Sequence, residues 1–187
     1  MQKKLMYLEI AGILFIVIMS VFMQNLLDLS GHTLIGVMFG SVNDSIWEIE
    51  KTLLFPYLLW AGIELLCIKI PFRKFIVAKA VSLWFFCLSY SAICLLYSLT
   101  GAQTHFLPEF TAALICCTLA FFISFRLTVG NKKCEVLFYP AFFMLLLFVV
   151  LYCSLTPFPM HNYLFMDRTT GPVSYTHLRA HETDQYL

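Results

Sequence analysis

Three ionisable side chains, Glu9, Glu64 and Lys79, lie within long apolar stretches of the sequence. An ionisable residue inside a membrane-spanning segment is costly, and it is therefore a candidate for binding a substrate, an ion or a proton. A carboxylate can accept a proton or a cation, whereas a lysine can pair with that carboxylate or reach the headgroups with its long side chain. Glu9 lies only about one turn into the first stretch, and we therefore expect it to be interfacial.

Glu64 and Lys79 flank a tight turn around Pro71 and Phe72. The segments joined by this turn must run antiparallel, so positions whose numbers add up to 143, such as 64 and 79, lie at equal depth. Each of the two is about seven residues, or roughly 11 Å, from the centre of the turn. We expect the two side chains to face each other as an ion pair. The alternative is a rotation in which Lys79 snorkels and Glu64 is protonated.

A second group of polar side chains falls on the opposite side of the predicted membrane. Its members are His32, His105, His161, Asp44, Glu48 and Glu109. Such groups could bind a divalent metal or act as acid and base. However, the sequence shows no fixed ligand spacing such as H-E-x-x-H, and carboxylates are favoured in first helical turns for electrostatic reasons alone. We therefore predict no catalytic or metal site, and the candidate ligands, should a metal bind, are His32, His105 and Glu109.

The composition places these residues in a membrane protein. Of the 187 residues, 60% are hydrophobic and 19 are Phe, whereas apolar residues make up roughly 45–50% of soluble domains. A helix needs about 20 mostly apolar residues to cross the hydrocarbon core. Five segments approach or exceed this length: 5–26, 53–70, 75–97, 106–125 and 136–155. We predict an all-α, polytopic membrane helix bundle that forms a single integral membrane domain over residues 1–171.

The distribution of basic residues predicts the orientation, because short cytoplasmic loops carry an excess of Lys and Arg. One side of the predicted bundle carries eight basic residues: Lys3, Lys4, Lys69, Arg73, Lys74, Arg126, Lys132 and Lys133. The other side carries only Lys51 and Arg168. We expect a multi-pass protein of the cell membrane with a cytoplasmic N-terminus and an extracytoplasmic C-terminus.

The stretch GSVNDSIWEIEKTLLFP, which begins at Gly40, precedes the second span. Ser45 and Glu48 have the spacing of a capping box, so a helix should begin at this point. Trp47 and Tyr57 are then expected near the outer interface. Upstream, HTLIGVMFG is too short to span and contains small residues four apart, Gly36 and Gly40, a spacing that permits close helix contact. We interpret it as an interfacial or re-entrant segment.

This stretch resembles the V-N-E-S-x-W-E-H-x-K signature, with a following F-x-P, of a family of small bacterial multi-span membrane proteins of unknown function. The matching positions are Asn43, Ser45, Trp47, Glu48, Lys51 and Pro56. Asp44 replaces the usual glutamate and Ile49 the usual histidine, so a chemical role of that histidine would be lost here. The segment DRTTG, which ends at Gly171, resembles the family's C-terminal D-x-x-T-G. The resemblance implies the helical membrane fold and brings no activity with it.

The polar C-terminal run VSYTHLRAHETDQYL, residues 173–187, resembles a translated sequencing-library adaptor. Its codons can be written as the transposon end and adaptor, with residues 184–185 as barcode. We therefore expect residues 172–187 to be an artefact rather than native chain. The genomic DNA should then encode a different C-terminus after about residue 171.

These observations favour an integral membrane protein that is not an enzyme, either a small transporter or a membrane scaffold. A transporter would use Glu64 as a substrate or proton site. The alternative is a membrane-embedded enzyme or metal-binding protein with an outer-face site of His, Glu and Asp side chains. We expect no cofactor, and the lipid bilayer is the expected partner. A formal net charge of +1 gives no basic face for a nucleic acid, and the sequence identifies no protein partner.

Overall fold

The computed structural model describes residues 2–99, 106–130, 134–156 and 163–165. All regular structure within these ranges is helical. In chain order the α-helices are α1 (Gln2–Gln24), α2 (Leu26–Leu29), α3 (Leu34–Phe39), α4 (Ile46–Cys67), α5 (Phe72–Leu99), α6 (Phe106–Val129) and α7 (Phe138–Leu155). Two short 3-10 turns, Cys134–Leu137 and Tyr163–Phe165, complete the order. The predicted helical membrane bundle is therefore confirmed as the fold class.

Among the described residues, four helices are long and apolar enough to cross a membrane: Gln2–Gln24, Phe72–Leu99, Leu107–Val129 and Cys134–Leu155. Each coincides with one of the predicted spans. The predicted second span, 53–70, lies mostly in α4, which is 22 residues long. That helix carries more charge than the other four, namely Glu48, Glu50, Lys51 and Glu64. Its assignment as a fifth span stays a prediction.

Helix α4 differs from its neighbours because protein surrounds part of it. All eight consecutive residues from Glu50 to Tyr57 are buried, so no face of the helix in this stretch is open to solvent or lipid. It contacts α1 and α5, and its first turns also meet α3 and the turn Tyr163–Phe165. Charged residues can lie in this helix because other side chains, rather than hydrocarbon, surround them.

Helix α1 shows the two faces expected of a helix at the edge of a membrane bundle. Its buried residues recur every three or four positions: Leu5, Glu9, Gly12, Ile16, Ser20 and Met23. Its exposed apolar residues form the opposite stripe and include Tyr7, Ile10, Leu14 and Ile18. A Cβ on Gly12 would lie 2.5 Å from Nε1 of Trp60 and 2.6 Å from Cζ of Phe121. The glycine thus lets α1 approach α4 and α6 closely.

The ends of the helices support an antiparallel arrangement. Helix α4 ends at Cys67 and α5 begins at Phe72, as the tight turn predicted. At the same end of the bundle, Lys4 Nζ donates a hydrogen bond of 3.2 Å to the carbonyl of Cys67. Lys74 Nζ donates to the carbonyl of Gly130. Basic residues that the sequence assigned to one side thus anchor helix ends there, while the orientation of that side stays a prediction.

The segment predicted to be interfacial, residues 32–40, contains the short helix α3, and the short helix α2 precedes it. The two helices are six and four residues long and too short to cross. A Cβ on Gly36 would clash with Ser30 and would lie 3.0 Å from the Cα of Leu27. A Cβ on Gly40 would lie 3.0 Å from the backbone nitrogen of the same Leu27. The two glycines therefore permit the close contact between α2 and α3 that their spacing suggests.

Candidate functional site

Lys79 is the centre of a buried charge cluster. Its Nζ lies 2.5 Å from Oε2 of Glu64 and 3.1 Å from Oε2 of Glu9. The exposed fraction is 1% for Lys79, 0% for Glu64 and 4% for Glu9. The three residues belong to α5, α4 and α1 respectively. One ammonium group therefore bridges two carboxylates from two other helices.

A fourth helix completes this charge cluster. Ser124 of α6 donates a hydrogen bond of 2.8 Å from Oγ to Oε1 of Glu9. Three aromatic rings surround the ammonium group, with centroids 5.2–5.4 Å from Nζ: Tyr57, Phe75 and Phe121. At these distances each ring face attracts a cation. Four helices thus meet at Lys79.

The structure confirms one prediction about this charge cluster and contradicts another. Glu64 and Lys79 face each other, as the equal-depth register predicts. The interfacial position expected for Glu9 is wrong, because Glu9 is buried and bonded to Lys79 and Ser124. A signal for this was present in the sequence: Glu9 lies three residues before Gly12 on the stripe that packs inward. A small residue at that spacing marks a helix face that meets other helices.

The formal charges of the cluster do not balance. Two carboxylates and one ammonium sum to −1 when all three are ionised. A net charge within a membrane bundle costs a few kcal/mol on insertion scales. One bound proton, or one other monovalent cation, would bring the cluster to neutrality.

The interface between α4 and α5 continues as a ladder of polar pairs, which we call the polar ladder. After Glu64 and Lys79, its next rung is a hydrogen bond of 2.6 Å between the hydroxyls of Tyr57 and Ser82. In the third rung, Ser91 Oγ donates to Oε2 of Glu50 at 2.8 Å.

The rungs follow from helical geometry. The α4 members, Glu50, Tyr57 and Glu64, are seven residues apart, which places them on nearly the same face of a helix with 3.6 residues per turn. Each step of seven residues is about 10 Å along the axis. The polar ladder therefore runs over roughly 21 Å, most of the thickness of a hydrocarbon core of about 30 Å.

The Glu50 rung has two further polar neighbours. The thiol of Cys87 and the hydroxyl of Tyr152 lie beside the Glu50 carboxyl and are 3.4 Å from each other. Helix α7 supplies Tyr152, so this rung joins three helices. The sequence analysis did not single out Glu50. The predicted helix that begins at Ser45 contains it, but the predicted span begins only at Leu53, and the cover that α5 and α7 give to Glu50 leaves no local pattern in the sequence.

A second buried ion pair lies at the N-terminal end of α4. Lys51 Nζ is 2.7 Å from Oε2 of Glu48, and Lys51 is 0% exposed. The same ammonium group donates to the carbonyl of Val37 at 3.0 Å and to Oγ1 of Thr156 at 3.3 Å. The other contact of Glu48 Oε2 is the backbone N–H of Val42, at 3.1 Å. This pair therefore ties α3 and the end of α7 to the start of α4.

The cap of α4 agrees in part with the predicted capping box. Ser45 Oγ accepts a hydrogen bond of 3.3 Å from the backbone N–H of Glu48, which confirms the N-cap. The reciprocal bond differs, since the backbone N–H of Ser45 donates to Oδ1 of Asn43 at 3.0 Å. The carboxylate of Glu48 is thereby available to Lys51. Asp44, between these residues, is exposed.

The aromatic residues predicted near the outer interface behave differently from each other. Trp47 is half-buried and stacks on Tyr152, with ring centroids 4.1 Å apart. It also lies 4.8 Å from the ring of Phe165. Tyr57 is fully buried in the core instead, so its predicted interfacial position is wrong. Pro56 precedes it within α4, where it removes one backbone hydrogen bond from the helix interior.

The proposed outer-face histidine and carboxylate site is not assembled within the described part of the chain. His32 is exposed and lies 3.8 Å from Asp28, which is also exposed. Glu109 lies in the first turn of α6, and the carboxylate of Glu48 is bound by Lys51. His105 and His161 lie outside the described residues. Among residues 2–99, 106–130, 134–156 and 163–165, no three His, Cys, Asp or Glu side chains are grouped to hold a metal ion.

Comparison with known proteins identifies one family. A profile described as "Family of unknown function (DUF6512)" matches residues 1–175. No curated protein and no solved structure matches the chain. The resemblance inferred from the motif around Asn43 thus agrees with the match in one respect, namely that the function of the family is unknown.

Proposed function

The chain belongs to DUF6512, a family of unknown function, and we propose from its buried charges that it is a small membrane transporter. In this proposal the cluster of Glu9, Glu64 and Lys79 binds the ion that is transported or that drives transport. The observation that carries the proposal is that two buried carboxylates share one ammonium group. Ionisable residues inside membrane bundles commonly mark ion pathways and proton relays.

The cluster can change its charge without large rearrangement. Binding of one cation would make it neutral, and release of that cation would return it to −1. Lys79 can hold either carboxylate, because Glu64 and Glu9 both lie within 3.1 Å of its Nζ. A cation could therefore occupy one carboxylate while the lysine pairs with the other. This is the behaviour that a reversible ion site needs.

The test is a flux measurement on purified protein in lipid vesicles. An inward gradient of protons, Na⁺ or K⁺ is applied in turn, and uptake is followed with an ion-sensitive dye. The wild type should carry at least one of these ions, and E64Q should reduce that flux to the level of empty vesicles. E135Q is the matched control, because Glu135 is exposed. Wild-type vesicles that carry none of the three ions, or E64Q vesicles that carry them normally, would contradict the proposal.

A scaffold is the second candidate, and one observation favours it. The cluster joins α1, α4, α5 and α6 through direct hydrogen bonds and ion pairs, so it could serve only to specify how the helices pack. In that case the wild type would carry no ion. Neutral replacements at all three positions, E9Q, E64Q and K79M together, would then leave a functional, folded bundle. The vesicle measurement separates the two candidates.

A further inference from the structure

Glu50 is a buried carboxyl without an ion-pair partner in the described part of the chain. Its exposed fraction is 2%, and it belongs to the stretch of α4 in which every residue is buried. Ser91 donates to one oxygen, Oε2. The other oxygen, Oε1, is buried and accepts no well-aligned hydrogen bond from any described residue. By contrast, the other five charged residues that are buried in the described part of the chain are all ion-paired. Glu48 pairs with Lys51, and Glu9 and Glu64 both pair with Lys79.

The surroundings of Glu50 favour a neutral acid. The titratable groups that face it are the thiol of Cys87 from α5 and the phenol of Tyr152 from α7, and neither carries a positive charge in any protonation state. A lone carboxylate inside a membrane bundle costs a few kcal/mol. A protonated carboxyl avoids that cost and can use its O–H as a donor.

We propose that Glu50 is a second proton-binding site and that the ion bound by the protein is therefore a proton. The assignment of a proton as the transported or coupling ion rests on the proposed transport function, whereas the protonation of Glu50 does not. The polar ladder connects the two sites. Glu50 lies at one end and the cluster around Lys79 lies at the other. The bonded hydroxyls of Tyr57 and Ser82 lie between them, nearer to Lys79, whose carbonyl accepts a hydrogen bond of 3.1 Å from Ser82 Oγ.

The transfer balances in charge and in protons. When Glu50 releases its proton, its carboxyl changes from neutral to −1. When that proton binds Glu64 or Glu9, the cluster changes from −1 to neutral, so the total charge within the bundle is unchanged. The rungs are unequally spaced on α5, where Ser82 is three residues from Lys79 and nine from Ser91. The longer gap therefore lies between Glu50 and the Tyr57 hydroxyl, and seven residues of α4, about 10 Å, exceed one hydrogen bond of about 3 Å. The proton needs bridging water in that gap, and the Tyr57 hydroxyl can both donate and accept.

The first measurement is infrared difference spectroscopy of the full chain in lipid vesicles at neutral pH. A protonated carboxylic acid has a carbonyl stretching band that a carboxylate lacks, and the band moves when H₂O is exchanged for D₂O. The wild type should show this band, and E50Q should lose it, whereas E135Q should keep it. S91A should shift the band without abolishing it, because it removes only the hydrogen bond to Oε2. S91A also tests the assignment if E50Q does not fold.

The second measurement is proton flux in the same vesicles. E50Q should reduce proton flux to the level of empty vesicles, and Y57F should slow it, since the hydroxyl between the two sites is lost. If the carbonyl band is unchanged in E50Q and unshifted in S91A, the protonation of Glu50 is refuted, whatever proton flux is measured. A band lost in E50Q with normal E50Q flux overturns the relay while leaving the transport function intact. A wild type that carries no proton overturns proton transport but leaves the neutral Glu50 in place.

Discussion

Replacing Lys79 with methionine should destabilise the bundle more than any other single change to the charge cluster. Within the described part of the chain, K79M removes the only cation in contact with two buried carboxylates, Glu64 at 2.5 Å and Glu9 at 3.1 Å. Breaking a buried pair by removing one partner costs about 3–5 kcal/mol, because the other charge is left uncompensated. Two carboxylates would lose their cationic partner in K79M, so we expect a cost at the upper end of that range unless one of them binds a proton.

Replacing Glu64 with glutamine should cost less. Lys79 would keep Glu9 as a partner in E64Q, and the glutamine amide could still accept a hydrogen bond from the ammonium group. The expected loss is about 1–3 kcal/mol, the range for a buried polar group that loses one good partner. The order of stability should therefore be wild type, then E64Q, then K79M.

Combined variants distinguish an ion pair of Glu64 and Lys79 from a triad that also includes Glu9. If only Glu64 and Lys79 interacted, the double variant E64Q/K79M would recover most of the lost stability. Because Glu9 also contacts Lys79, the double variant should recover only part, with Glu9 left to Ser124 alone. The triple variant E9Q/E64Q/K79M removes every charge and should approach the wild type, since neutral replacement of a buried ion pair is often neutral or stabilising by about 1–4 kcal/mol.

The assay is thermal unfolding of purified protein in detergent, followed by circular dichroism. E135Q and K69M are matched controls, since both residues are exposed, and both should unfold within a degree or two of the wild type, roughly the shift expected for 0.5 kcal/mol. A K79M protein as stable as K69M would refute the triad. So would a triple variant whose loss equals the sum of its single changes, because the three sites would then act independently.

Three other changes test separate parts of the structure. G12A should lower the unfolding midpoint, with a cost of about 1–3 kcal/mol for the added methyl group in a packed contact. G62A is the control, because nothing lies within 4 Å of the Cβ that it adds, and it should be neutral or stabilising by up to about 1 kcal/mol. Equal effects of the two changes would refute the close contact of α1. S45A should cost about 1 kcal/mol through loss of the N-cap, and an unchanged midpoint would refute its role. A topology reporter should be active inside the cell after Gly130 and outside after Leu155, and the reverse pattern would overturn the predicted orientation.

Much of the helical architecture could be predicted because it depends on local patterns. Long apolar stretches predict helices, a short turn predicts antiparallel neighbours, and those two facts together placed Glu64 opposite Lys79. The start of α4 at Ile46 was also predictable in part, since Ser45 caps it. These inferences do not need the rotation of a helix about its own axis, except that equal depth left open whether Glu64 and Lys79 face each other.

The residues that the sequence predictions misplaced are those whose positions depend on the rotation of a helix or on contact with another helix that is distant in the chain. Glu9 was read as interfacial from its depth, although its direction is set by the inward face of α1. Lys51 was assigned to the outer side of the membrane and Glu50 was not singled out, but α7 covers both through Thr156 and Tyr152. Lys51 and Thr156 are 105 positions apart in the chain, and no periodicity within either segment predicts such a contact.

Proton uptake by the purified protein tests most directly the central claim that the buried charge cluster binds a proton reversibly. The detergent-solubilised protein is acidified in weakly buffered solution containing a pH-indicator dye, and the protons bound per molecule are counted for the wild type and for E9Q/E64Q/K79M. E135Q serves as the control for loss of one exposed carboxylate. The wild type should bind about one proton more than the triple variant after correction for exposed groups, since the cluster can change from −1 to neutral and the variant cannot. Equal uptake by the wild type and the triple variant would contradict the account.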